Sequence, residues 1–145
     1  LAQRGPDYYF SLAQASVKAD RYKDAAVAYD RFLAVSGEMD VDRRERIKGL
    51  VSFLRYLEDR TSLYDACVVS VTNVIFVLVT NRPITEVRMN TYEKPLHFVI
   101  DTGSGMTVIS TKTAERLGLK EVARGGNARG IGGDGKFPII HGLVD

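Results

Sequence analysis

The spacing of apolar residues changes once along this chain, near residue 59, and no single kind of regular element satisfies both sides of the change. Before it, Tyr22, Ala25, Ala26, Tyr29, Phe32 and Leu33 recur at helical spacing and share one face. Ile47, Leu50, Val51, Leu54 and Leu57 make a second stripe, with Asp42 and Glu45 spaced as a capping box in front of it. A first helix over residues 6–18 is expected to bury Tyr9, Leu12 and Ala13. Asp20-Arg21 then turns the chain, and Ser36-Gly37 is expected to end the second helix with a left-handed glycine. After Asp59 a polar stretch reads as a linker. The run "CVVSVTNVIFVLVT" beyond it is dense in the β-branched residues that favour strands.

Asn81-Arg82-Pro83 is expected to break that strand, Ile84, Val87 and Met89 to mark a second, and Leu96 to Ile100 a third. One short helix is expected over residues 111–117, stopped by Gly118. The fold class is therefore α+β: a helical region over residues 1–60, then a mostly-β domain over 67–145.

Composition narrows the function. A 45% hydrophobic content suffices for a core, and a formal net charge of +2 is spread evenly, with no basic stripe to attract nucleic acid. Cys67 is the single cysteine, so neither an internal disulfide nor a CxxC metal site is available, and it is expected to be a small buried apolar residue. The longest apolar run, Val74 to Val79, falls far short of the ~18 residues that mark a membrane span. The compartment, export included, is left open.

The stretch "FVIDTGSGMTVIS", Phe98 to Ser110, sets one carboxylate between an apolar run and a glycine turn. Phe98-Val99-Ile100 is expected to be a buried strand, and a carboxylate at its end is costly unless hydrogen-bonded, paired or protonated. Thr102, Gly103 and Ser104 can supply that remedy through backbone N–H groups and hydroxyls in a tight turn. Asp-Thr-Gly-Ser alone is also an ordinary surface turn. Its setting is more telling: a strand before, Val108-Ile109-Ser110 and the helix "TKTAERLGL" after, and Gly130-Ile131-Gly132-Gly133 further on.

In that combination, residues 74–144 resemble the retropepsin-like aspartic proteases. The resemblance implies a catalytic loop at Asp101, Thr102, Gly103 and Ser104, a strand at Val108-Ile109-Ser110, and a substrate-covering flap at Gly130, Ile131, Gly132 and Gly133. One such motif supplies one carboxylate, whereas water-mediated peptide hydrolysis needs one ionised and one protonated. The second must then be Asp101 of another copy, which implies a C2 homodimer acting on a polypeptide, with Thr102 bonding across the interface and no cofactor. Relatives of this type continue beyond the flap, so the protease unit is expected to be incomplete at its C-terminal end.

Tyr9-x-x-Leu12-Ala13 and Tyr22-x-x-Ala25-x-x-x-Tyr29-x-x-Phe32 resemble a tetratricopeptide repeat over residues 6–37, departing from it at Ser16 and Gly37. A plain helical hairpin is the alternative. A rival function follows: a scaffold whose helices recruit a protein partner while the protease-like half only dimerises or holds a peptide. The charged run "DVDRRERIK" reads as the solvated start of a helix, with a docking patch as its alternative.

The remaining motifs are weaker. "GIGGDGK" fits two nucleotide-binding patterns, but both need a buried strand before and a helix after. "EVARGGNAR" reads as no buried strand, and Pro138 opposes a helix. His97 and His141 lack clustered acidic or cysteine companions, so no metal site is expected.

Overall fold

The computed structural model describes residues 4–63, 73–89, 92–104, 106–129 and 135–144. In chain order its elements are α1 (Pro6–Lys18), α2 (Tyr22–Val35), α3 (Val41–Tyr56), β1 (Phe76–Val79), β2 (Arg82–Val87), β3 (Leu96–Val99), α4 (Thr111–Arg116), β4 (Ala123–Arg129) and β5 (Lys136–His141). Helices come first and a small β-rich region follows, the α+β class that the change of period predicts. Contacts divide the chain into two compact units, one of residues 1–65 with 121–142 and the other of residues 66–120 with 143–145.

The first unit starts from local signals. Pro6 opens α1, where its missing N–H costs nothing, and Asp7 complements the helix dipole. The turn to α2 passes through Asp20 at φ 54°, whose carboxylate accepts the Tyr22 hydroxyl at 2.7 Å. Along α2, Tyr22, Ala25, Ala26, Ala28, Tyr29 and Phe32 are buried, as their spacing requires. Phe10 of α1 packs on Phe32 and Tyr29 with ring centroids 5.1 and 5.7 Å apart. Burial of Tyr29 also raises its hydroxyl pKa.

Three local expectations are corrected here. Leu12 is 42% exposed, because the buried stripe of α1 runs through Ala13 and Ser16 instead. Ser36, in extended conformation, closes α2: its N–H and hydroxyl both reach the Phe32 carbonyl, so no left-handed glycine is used. Asp40, not Asp42, caps α3 by accepting the Arg43 N–H at 2.9 Å. Two aspartates two residues apart made either register feasible, and the earlier one lets Val41 and Asp42 join the first turn.

The stripe of α3 packs on α2, with Ile47, Val51, Leu54 and Leu57 buried and an Arg55–Asp30 ion pair at the rim. Arg44 donates to the Leu33 and Gly37 carbonyls, satisfying orphan acceptors near the end of α2. A second face of α3 carries the antiparallel β4–β5 hairpin. "EVARGGNAR" thus does contain a strand, with Ala123 and Gly125 buried. A bulge between Arg124 and Asn127 accommodates the change of register, and Gly126 sits in it at φ 67°. His141 stacks on Phe53 of α3, centroids 5.1 Å apart and planes 19° apart.

The second unit holds an antiparallel sheet in the order β1-β2-β3. Thr80 and Asn81, both at positive φ (48° and 60°), make a two-residue hairpin turn of the kind that matches strand twist. The break expected at Asn81-Arg82-Pro83 falls at Thr80-Asn81, so that Arg82 and Pro83 already begin β2, with Pro83 opposite Leu78. The helix expected after residue 110 forms as α4, capped by Ser110 and followed by Gly118 at φ 66°. None of the described residues of this unit is buried. Residues 64–72, Cys67 included, lie outside the described residues.

Two outcomes follow for the first unit. Leu54, 2% exposed, fills the α2–α3 interface, and Leu54→Ala is expected to lower stability by about 2–5 kcal/mol in chemical denaturation. Burial holds the His141 imidazole below its ordinary pKa. The unfolded chain then takes up a proton first, so the contribution is full above about pH 6.5 and is lost as pH falls through the folded value. His141→Phe keeps the stack and removes the proton site. The drop in Tm between about pH 7.5 and 5.5 is expected to shrink in that variant.

Candidate active site

The candidate carboxylate is placed by strand pairing. β3 pairs with β2 in the register Ile84↔Val99, Thr85↔Phe98, Glu86↔His97 and Val87↔Leu96. One more bond, from the Ile100 N–H to the Pro83 carbonyl at 2.9 Å, holds the chain to the sheet up to the residue before Asp101. Beyond it the chain turns: the Ser104 N–H reaches the Asp101 carbonyl at 3.2 Å, and the Gly103 N–H donates to Asp101 Oδ1 at 2.9 Å. The carboxylate therefore closes its own turn, leaving Oδ2 directed at no hydrogen-bond donor among the described residues.

This geometry meets part of the expectation. A strand does lead into Asp101, and a backbone N–H of the turn does hold its carboxylate. Burial does not occur: Asp101 is exposed, and Val99 and Ile100 are 49% and 41% exposed. The physical reason is the sheet itself. β3 is an edge strand of three, and among the described residues of its unit no helix or second sheet packs on it. An apolar run can pair as a strand without being covered.

The neighbouring residues divide similarly. The Ser104 hydroxyl bonds the Met106 carbonyl at 2.7 Å rather than the carboxylate, a local turn closure two residues on. Thr102 is exposed. Val108-Ile109-Ser110, expected as a strand, has no ladder partner among the described residues and runs directly into α4. There Ser110 Oγ accepts the Thr113 N–H at 3.2 Å. Gly130, Ile131, Gly132 and Gly133 lie outside the described residues, but the strands on either side of them form the β4–β5 hairpin. Because β5 follows the glycine run where a nucleotide loop needs a helix, both nucleotide patterns fail.

His97 lies opposite Glu86 across β2 and β3, 3.6 Å apart and exposed, an ordinary cross-strand pair. Among the described residues no cluster of three or more His, Cys, Asp or Glu could hold a metal, and no helix is long and apolar enough to cross a membrane. The set that sequence reasoning missed lies on α3. Asp42, Arg46, Gly49 and Phe53 all meet the β4–β5 hairpin. Their 4-3-4 spacing was a usable signal, but their mixed chemistry hid it from a search for apolar stripes.

Comparison with known proteins adds one finding. Residues 85–145 match the model of a family described as Aspartyl protease, a span that takes in the second half of β2, all of β3, the Asp101 turn, α4 and the hairpin. The match supports an aspartyl protease-like domain in this part of the chain. No curated protein and no solved structure matches the chain.

The turn itself generates a prediction. A Cβ at Gly103 would meet Asp101 Oδ1 at 3.4 Å, an ordinary contact, and the turn requires no left-handed backbone there. Gly103→Ala is expected to change the folding stability of the isolated chain by less than about 1 kcal/mol in denaturant titration. A larger loss would show that the turn depends on glycine's conformational freedom.

Proposed function

We propose that the chain is an aspartic endopeptidase in which Asp101 of two copies share one catalytic site. The observation that carries the reading is the family match across a strand that leads into the Asp101 turn, with that carboxylate held by the Gly103 N–H. The domains in this reading are a repeat-like helical region over residues 1–60, similar to a tetratricopeptide repeat, and a protease-like domain over 67–145. Thr102 bonds across the dimer, Gly103 and Ser104 shape the loop, and Gly130, Ile131, Gly132 and Gly133 cover the substrate.

The chemistry needs no cofactor. The ionised Asp101 takes a proton from a water whose oxygen attacks the scissile carbonyl carbon. The protonated Asp101 of the second copy gives its proton to the carbonyl oxygen, and a gem-diol forms. Collapse breaks the C–N bond: the nitrogen takes a proton, a gem-diol hydroxyl returns one to the carboxylates, and an acid and an amine leave. Two carboxylates this close share a proton rather than both ionising. The exposure of Asp101 supports the reading, since a covered carboxylate could not meet a twin. Val99, Ile100, Met106 and Val108, all exposed apolar residues near the turn, offer a surface that a second copy can cover.

Asp101→Asn in the full protein is expected to lower cleavage of an unfolded polypeptide at acidic to neutral pH by about 10²–10⁴-fold. Undiminished cleavage contradicts the assignment. A dimer that binds peptide without hydrolysing it, and keeps binding with Asp101→Asn, favours the scaffold reading with its partner on the helices.

A further inference from the structure

The helix α3 has two faces, and only one of them belongs to the helical core. At about 100° per residue, Ile47, Val51 and Leu54 fall on one side, while Asp42, Arg46, Gly49 and Phe53 fall on another about 140° away. Every member of the second group meets the β4–β5 hairpin, and their partners follow in order along its stem. Asp42, in the first turn of α3, pairs with Lys136, which stands opposite Arg129 at the last rung before residues 130–134. One turn on, Arg46 Nη1 donates to the Asn127 carbonyl at 2.7 Å. The next position, Gly49, has no room for a side chain: a Cβ there would lie 2.0 Å from the Arg124 carbonyl oxygen and 2.5 Å from Gly125 Cα. Phe53 then stacks on His141 at the base of the stem.

We propose that α3 is a splint for this hairpin, with Asp42, Arg46, Gly49 and Phe53 as positioning residues that fix the direction of the β4–β5 stem. A helix that only completed a helical core would need no glycine at 49, since glycine is a poor helix former. Backbone-to-backbone approach is the use that Gly49 has here. The Lys136–Asp42 pair adds direction, and its hydrogen bond is the main reason the Asp42 carboxyl lies below its usual pKa range, with Asn127 and Arg46 contributing. The helical region is thus part of the machinery that holds the hairpin, in addition to any partner it recruits.

Two measurements on the full chain test this. Gly49→Val is expected to cut hydrogen-exchange protection of the amides in residues 124–129 and 136–141 by at least about tenfold while residues 25–32 keep theirs. Unchanged protection of the stem overturns the proposal. If that variant fails to fold, the exposed charge pair decides. Asp42→Lys is expected to speed trypsin cleavage after Arg129 about threefold, a modest factor suited to a surface pair. Asp42→Lys combined with Lys136→Asp is expected to return the rate toward wild type, a rescue that general loosening would not give. Equal rates in all three chains overturn the proposal. Asp101→Asn is expected to leave every one of these readouts unchanged, so the splint and the protease assignment fail separately.

Discussion

Hydrolysis of a peptide bond between carboxylates requires two of them within reach of one water, and this chain holds a single Asp-Thr-Gly. The architecture around Asp101 is what such a shortage calls for. Strand pairing through β2 and β3 carries the chain to the carboxylate, and the Gly103 N–H fixes one oxygen. Exposure leaves the other face open. Under the proposed function these are three parts of one arrangement: a half-site that is rigid where it meets its own sheet and open where its twin would meet it.

The first unit answers a different problem. A β-hairpin of two strands is marginal alone, because it has one face to cover and no third strand to share the cost. Here α3 covers it. Gly49 allows the helix and the Arg124 backbone to meet without an intervening side chain, and Gly126 lets the bulged strand pass close to Glu45 and Arg46. The same helix uses its apolar face against α2, so a sixteen-residue segment binds helical core and hairpin into one unit. The family match, residues 85–145, therefore runs through both compact units rather than stopping at the edge of one.

How much of this was legible in the sequence depended on range. The second and third helices followed from the spacing of Tyr22 to Phe32 and of Ile47 to Leu57, since an apolar stripe is a local pattern. The Asp101 turn was legible for the same reason: its hydrogen bonds span two or three residues. Ends were harder, because Asp40 and Asp42 are equally good caps and only the course of the preceding loop chooses between them. Pro83 suggested a break, and the tight turn at Thr80-Asn81 left it room at the start of β2. Burial of Asp101 could not be read, because it depends on what lies over the sheet and not on the apolar run itself. The second face of α3 was hidden for a related reason: Asp42 and Lys136 are 94 positions apart, and Arg46 and Asn127 are 81.

The central claim is that one reaction site is made by two chains. The most direct measurement is a calorimetric titration with a peptide in which a hydroxyethylene group replaces the scissile amide, mimicking the tetrahedral intermediate. A shared site predicts a stoichiometry of one ligand per two chains, and loss of that binding when Asp101 is replaced by alanine. One ligand per chain, or binding indifferent to Asp101, would contradict it.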